Sequence, residues 1–217
     1  LFLLTCNLGE VLTMFIALIS GMASPFLATQ LLWINLLTDS LPALALGMDP
    51  SNPDVMKEKP RDPKESFFSH GAGVRSLVGG LLIGLVTLLS FVFGYWEKGF
   101  SPFDRSAPDE VVQYARTLAF ITIISCQLFY SFNYRNEKKS IFSVGIFSNK
   151  YLLGAIFGGL ALQLLVVLIT PVRQAFKLQL IDLQAWIVVI VSGLLPLICT
   201  EIYKFVANRK ANSQNTH

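Results

Sequence analysis

Hydrophobic residues gather along this chain into six long runs, at approximately 1–21, 26–46, 74–96, 114–132, 151–170 and 184–206. Each comes close to the roughly 20 mostly apolar residues a helix needs to cross a hydrocarbon core of about 30 Å. Lipid offers no partner to a backbone N–H or C=O, so runs of this length are helices. Their continuous apolarity excludes the alternation of a barrel strand. The expected fold is all-α, a polytopic membrane protein with six transmembrane helices in one bundle.

Composition agrees. The 217 residues are 53% hydrophobic, 12% aromatic and only 14% charged, against about a quarter charged in a soluble chain. A net charge of +3, spread between the runs, argues for no nucleic-acid partner. Cys6, Cys126 and Cys199 are far apart and each sits in an apolar run, a spacing that suits neither a disulfide framework nor a zinc site. They read as small apolar fillers.

The basic residues set an orientation. Twelve lie in the segments after the second and fourth spans and after the last one, among them Lys57, Arg61, Arg75, Arg135, Lys150 and Lys204; five lie on the other side, Lys98, Arg105, Arg116, Arg173 and Lys177. The positive-inside rule puts both chain ends and the Pro-rich loop 48–73 in the cytoplasm. Leu1 opens within an apolar run, without an initiator Met or a signal pattern, so the expectation is a piece of a longer protein. Within it, residues 1–206 form a membrane domain and 207–217 a polar cytoplasmic tail.

Two carboxylates, Glu10 and Asp39, fall well inside spans. A carboxylate at bilayer depth is costly and marks an ion or proton path. Asn7 precedes Glu10 by three residues, and Asn35, Thr38 and Asp39 share one face of the second helix. A short connection makes these two helices antiparallel neighbours. Pro42 has no N–H for the carbonyl of Thr38, so the backbone opens beside the cluster, as backbone at membrane depth does where it binds an ion. Two carboxylates, two amides, a hydroxyl and a carbonyl are oxygen donors for a hard divalent cation such as calcium.

The same residues carry a resemblance. Asn7-Leu8-Gly9-Glu10, then Gln30-Leu31-Leu32-Trp33-Ile34-Asn35-Leu36-Leu37-Thr38-Asp39-Ser40-Leu41-Pro42-Ala43, continuing through Leu44-Ala45-Leu46-Gly47-Met48 to Lys59-Pro60-Arg61-Asp62-Pro63-Lys64-Glu65, resembles the C-terminal membrane region of P-type ATPases of the calcium-pump branch. The resemblance covers essentially the whole chain and implies transmembrane helices five to ten. It implies that Asn7, Glu10 and Thr38 serve a first calcium site, Asn35 a second, and that Asp39 bridges both. Sodium/potassium pumps are similar here but usually carry Asp where this chain has Asn35, so the resemblance favours calcium over sodium or manganese.

There are two departures. Where two-site pumps place a Glu in the eighth helix, this chain has Gln127, a weaker neutral ligand. That makes it more similar to single-site bacterial and secretory-pathway pumps, which move one ion per cycle. Ser40 stands where many relatives have Gly.

In such pumps the phosphorylated Asp of the DKTG motif, the nucleotide and actuator domains with their ATP and magnesium, and helices one to four all lie upstream of the matched region. This chain alone is expected to be inactive as an enzyme, with no catalytic residue. Loop 48–73 would be a strut to the phosphorylation domain, and the setting the plasma membrane of a bacterium. A different class of reading is a secondary-transporter half or a helical interaction module.

Outside the cluster, Arg75, Arg116 and Glu201 sit at span ends as interface anchors. Pro196 frees the carbonyl of Ser192, and the Gly79-Gly80 and Gly158-Gly159 pairs suit close helix packing.

Overall fold

The computed structural model describes residues 1–49, 71–104, 106–136 and 140–214, so most of the expected strut falls outside the described residues. Helices build all of its regular structure: α1 (Phe2–Ile19), α2 (Ala28–Trp33), α3 (Ser40–Gly47), α4 (Ala72–Glu97), α5 (Asp109–Tyr130), α6 (Ile141–Val144), α7 (Lys150–Leu168), α8 (Thr170–Ala175) and α9 (Leu183–Gln214). Five stretches among the described residues are long and apolar enough to cross a membrane: Phe2–Ile19, Ala72–Glu97, Asp109–Tyr134, Lys150–Leu168 and Leu183–Ala207. They match five of the six runs. Large apolar side chains such as Leu89, Phe157 and Ile190 are exposed on these helices.

The remaining run is interrupted, as Pro42 leads one to expect, and the interruption takes the form of a π turn just before the proline's helix. Residues 28–47 form α2, a π turn over Ile34–Thr38, and α3. At the π turn the Asp39 N–H bonds the Ile34 carbonyl, five residues back, at 2.9 Å. Pro42 explains where α3 must restart: in the first turn of a helix its missing N–H costs nothing, whereas in mid-helix it would break the ladder.

Small residues set the spacing of the bundle. α1 lies on α4 along Gly80 and Gly84, a small-xxx-small stripe of the kind that lets membrane helices approach closely. A Cβ at Gly84 would stand 3.0 Å from the Gly9 carbonyl oxygen, and one at Gly80 3.0 Å from Leu8 Cβ. The Thr13 hydroxyl donates to the carbonyls of Gly9 at 2.7 Å and Gly84 at 3.3 Å, tying the two helices.

α5 is the central helix, packed on α4, α7 and α9. A Cβ at Gly94 would meet Ala115 Cα at 2.6 Å, one at Gly159 Leu128 Cδ2 at 2.8 Å, and one at Gly193 Ser125 Cβ at 2.7 Å. Of the two glycine pairs, Gly79-Gly80 packs at both positions. In the other pair only Gly159 does, since nothing lies within 4 Å of a Cβ at Gly158.

Pro196 lies inside α9, and the Ser192 carbonyl that it leaves without an N–H accepts the Cys126 thiol at 3.5 Å. α9 also runs on into the segment expected as a tail, its backbone helical to Gln214.

Two expected interface anchors turn out to be ties within the protein. Arg116 Nε donates to the Ser24 carbonyl at 2.8 Å, holding the α1–α2 connection against α5. Glu201 accepts from Ser140 Oγ at 2.5 Å, Ile141 N at 3.2 Å and Lys204 Nζ at 3.1 Å. A long polar side chain at a span end reaches protein donors when the next element folds back over it.

Candidate ion-binding site

Glu10 lies midway along α1, with roughly 12–13 Å of helix on either side. The α1–α4 stripe turns it inward, and it is 5% exposed. Both carboxylate oxygens are held by amides. Asn35 Nδ2 donates to Oε2 at 2.8 Å from the π turn, and Gln127 Nε2 donates to Oε1 at 3.0 Å from α5. Three helical segments therefore converge on one carboxylate.

Asp39 follows the π turn and is 1% exposed. Neither of its carboxylate oxygens has a hydrogen-bond partner, and Gln127 Oε1 is likewise buried without a donor. Glu10 and Asp39 are near enough for their charges to interact, and the Cys6 thiol lies close to both. A buried carboxylate whose nearest donor is the weak Cys6 thiol is an expensive feature. A cation or a proton completes it.

The π turn itself is the local device that turns the Asn35 side chain toward Glu10. An α-helix would keep Asn35 and Asp39 in a regular i, i+4 row. The extra residue in this turn widens it, and the Asn35 carbonyl is engaged by Ser40 Oγ at 3.4 Å while the Asn35 side chain reaches Glu10. Single π turns inside α-helices recur at functional sites. Ser40 thus acquires a role that its position in the sequence did not suggest. Thr38 is fully buried and its hydroxyl donates to the Ile34 carbonyl at 2.8 Å, leaving the oxygen lone pairs available.

Of the residues singled out in the sequence, Glu10, Asn35 and Gln127 are joined by hydrogen bonds, Asp39 is near enough to Glu10 for their charges to interact, and Thr38 is buried one residue before Asp39 with its hydroxyl bonded within its own helix. Asn7 takes no part: it is exposed on α1, and among the described residues nothing hydrogen-bonds to it. Cys6, one turn before Glu10 on the same face, was missed; its i, i+4 spacing to Glu10 was the available signal.

From Glu10 and Asn35 a groove of about 400 Å³ runs along α1 past Met14 and Leu18 to Met22 and Ser24 at the α1–α2 connection. Its floor is polar and its walls are apolar. Among the described residues no three His, Cys, Asp or Glu side chains gather as a metal cluster. The cluster is instead two carboxylates among neutral oxygens, a set of oxygen donors of the kind hard cations take.

Comparison with known proteins places the chain in a family. The family described as "Cation transporting ATPase, C-terminus" matches residues 23–206. Similar proteins include Calcium-transporting ATPase 1 of Bacillus cereus, 43% identical over 94% of this chain. The calcium-transporting ATPase of Bacillus subtilis is 38% identical over 90%, and one from Listeria monocytogenes 34% identical over 96%. The chain spans 23%, 21% and 22% of the lengths of these relatives. With the match extending over most of its length and the buried carboxylates in its bundle, the chain belongs to the C-terminal region family of cation-transporting ATPases.

Proposed function

We propose that this chain is the ion-binding and translocating membrane part of an ATP-driven pump that moves calcium out of the cytoplasm, one ion per cycle. The observation that carries the reading is the buried carboxylate of Asp39, with no well-formed hydrogen bond, within electrostatic reach of the amide-held carboxylate of Glu10. Two carboxylates neutralise one divalent ion. Their four oxygens, with those of Asn35, Gln127 and Thr38, supply seven donors, within the six to eight that calcium takes.

The amides act as reversible ligands. Without the ion, Asn35 and Gln127 turn their N–H groups to Glu10. When the ion enters, each amide rotates to present its oxygen, and Asp39 closes the shell. On release, protons replace the ion at the carboxylates. The α1 groove toward Met22 and Ser24 gives the ion a route to the far side.

The exposed face of α1 at Asn7, Val11, Phe15 and Leu18 is where further helices of a longer pump pack. They would bring Asn7 into the shell. Phosphorylation, nucleotide binding, ATP and magnesium belong to parts outside this chain, which alone hydrolyses nothing. The setting is a bacterial plasma membrane, with both chain ends and the Pro-rich loop cytoplasmic, as the distribution of basic residues supports.

Calcium uptake into vesicles carrying the full-length pump tests the reading. Asp39→Asn is expected to abolish uptake while leaving the protein folded, and unchanged uptake would refute it. Competition by manganese or sodium separates the ions: displacement of calcium by either at equal concentration would reassign the cargo.

A further inference from the structure

α3 begins at a break. The π turn and Pro42 separate it from α2, so Ser40–Gly47, with Asp39 at their head, are not held in line by the helix before them. Their position is set from the other end. Just beyond α3, the Asp49 carboxylate accepts two N–H groups of Arg135, Nε at 3.1 Å and Nη2 at 3.2 Å. The guanidinium is held in turn by the α5–α7 connection: Nη1 donates to the Gly145 carbonyl at 2.7 Å and Nη2 to Ser148 Oγ at 2.6 Å. The same connection supplies Asn149, whose Nδ2 donates to the Ala45 carbonyl of α3 at 3.1 Å. The side chains of Arg135 and Asp49 are 6% and 17% exposed. An ion pair buried to this degree adds little net stability over an apolar pair, but a two-pronged fork fixes the angle and separation of what it joins.

The residue before Arg135 makes the matching tie to α1. The Tyr134 hydroxyl is hydrogen-bonded to that of Thr5, which is fully buried and stands little more than one turn before Glu10. The Tyr134 ring meets Phe2 at the start of α1 and Tyr130 of α5 edge to face, with centroids 5.7 and 5.9 Å away. Tyr134 itself lies about two turns beyond Gln127, on the 3-10 turn that continues α5. The three segments that carry Glu10, Asp39 and Gln127 are therefore joined a second time, at two neighbouring residues of one turn.

We propose that Tyr134 and Arg135 are positioning residues for the transported ion: they set the heights of α1 and α3 against α5, and through them the spacing of the Glu10 and Asp39 carboxylates. The proposal rests on the reading that these carboxylates hold the cargo. Neither residue lines the groove at Glu10. Each acts through a short stiff lever, about 12 Å of α3 between Asp49 and Asp39 and about 7 Å of α1 between Thr5 and Glu10. A shift at either tie is delivered to a carboxylate, and the oxygens around calcium must close to about 2.3–2.6 Å.

Calcium uptake by the full-length pump in vesicles tests this, with KM and maximal rate measured separately. Asp49→Asn and Tyr134→Phe keep the shape of each side chain and remove one tie apiece. Each is expected to raise the KM for calcium about tenfold while the maximal rate stays within about twofold, as for groups that orient ligands through others. Arg135→Lys keeps the charge but not the fork and should resemble Asp49→Asn. The two together should cost no more in KM than either alone, because both act through one pair. Glu201→Ala is the comparison: it weakens the same end of the bundle at α9 without a bond to α1 or α3, so it should lower the thermal midpoint and leave KM unaltered. Unaltered KM in both Asp49→Asn and Tyr134→Phe overturns the proposal. So does a lowered maximal rate at unaltered KM, or an equal rise of KM in Glu201→Ala, either of which would make the ties structural only. Asp39→Asn in the same series keeps the two readings apart. Uptake that persists there refutes the calcium site and the positioning role together; uptake lost there, with normal KM in the two tie variants, refutes the positioning role alone.

Discussion

Gln127 Nε2 on α5 and Glu10 Oε1 on α1 meet at 3.0 Å, joining helices 117 residues apart around a buried carboxylate. The amide does two jobs at once: its N–H steadies Glu10, and its oxygen is left without a donor.

Replacing Gln127 by Glu should separate those jobs. A third carboxylate would face Glu10 and Asp39, and like charges at close range in a low-dielectric interior repel strongly without a cation. The expected outcome is a lower thermal midpoint in EDTA and a larger upward shift on adding calcium than in the parent. Gln127→Leu should also lower the midpoint in EDTA, since Glu10 Oε1 loses its donor, but should weaken calcium binding about tenfold, so that calcium raises the midpoint less than in the parent. Calcium titration of the thermal midpoint measures both.

The π turn makes a second prediction. Pro42→Ala restores an N–H that can bond the Thr38 carbonyl and extend a regular α-helix back across the turn. The Asn35 side chain would then leave Glu10. Calcium affinity should fall by about tenfold, as for other losses of ligand-orienting groups, while the thermal midpoint stays within a few degrees. An unchanged calcium titration would mean that the turn does not position Asn35.

The glycine stripe predicts opposite signs for similar changes. Gly94→Ala puts a methyl 2.6 Å from Ala115 Cα, and Gly84→Ala puts one 3.0 Å from the Gly9 carbonyl oxygen. Each should destabilise by about 1–3 kcal/mol through overpacking. Gly158→Ala meets nothing within 4 Å and should be neutral or stabilising by up to about 1 kcal/mol through helix propensity. Denaturation of the three variants side by side checks the ranking.

The tie between Glu201 and Lys204 predicts non-additivity. Both side chains are largely buried, at 12% and 6% exposed. Glu201→Ala should cost about 3 kcal/mol, because Lys204 is left as a buried charge and the α6 terminus loses its acceptor. Adding Lys204→Met should recover part of that loss, and a double-mutant cycle measures the coupling.

How much of this could be read from the chain depends on how local the cause is. Span length, helical state and the depth of Glu10 and Asp39 were legible because lipid imposes backbone satisfaction and a charge penalty on any segment, whatever its neighbours. The strain around residues 34–42 was visible in Pro42, since proline's missing donor is a property of one residue. Its form was not. The interruption is a π turn from which the Asn35 side chain bonds Glu10, a partner 25 residues away that no local pattern names.

Long-range pairing was the part beyond local reading. Gln127 stood in the sequence as a weak neutral substitute for a carboxylate, yet in the bundle it is one of the two donors that hold Glu10. Arg116 and Glu201 read as interface anchors and proved to be ties. Asn7, by spacing a partner of Glu10, stands exposed on the same helix. The physical reason is the same in each case. Helical periodicity decides which side chains share a face, but which face meets another is decided by how closely backbones can approach, here at Gly80, Gly84, Gly94, Gly159 and Gly193. The sequence alone thus determined that two carboxylates lie at membrane depth; only the packing of α1 on α4 and α5 decided which donors surround each of them.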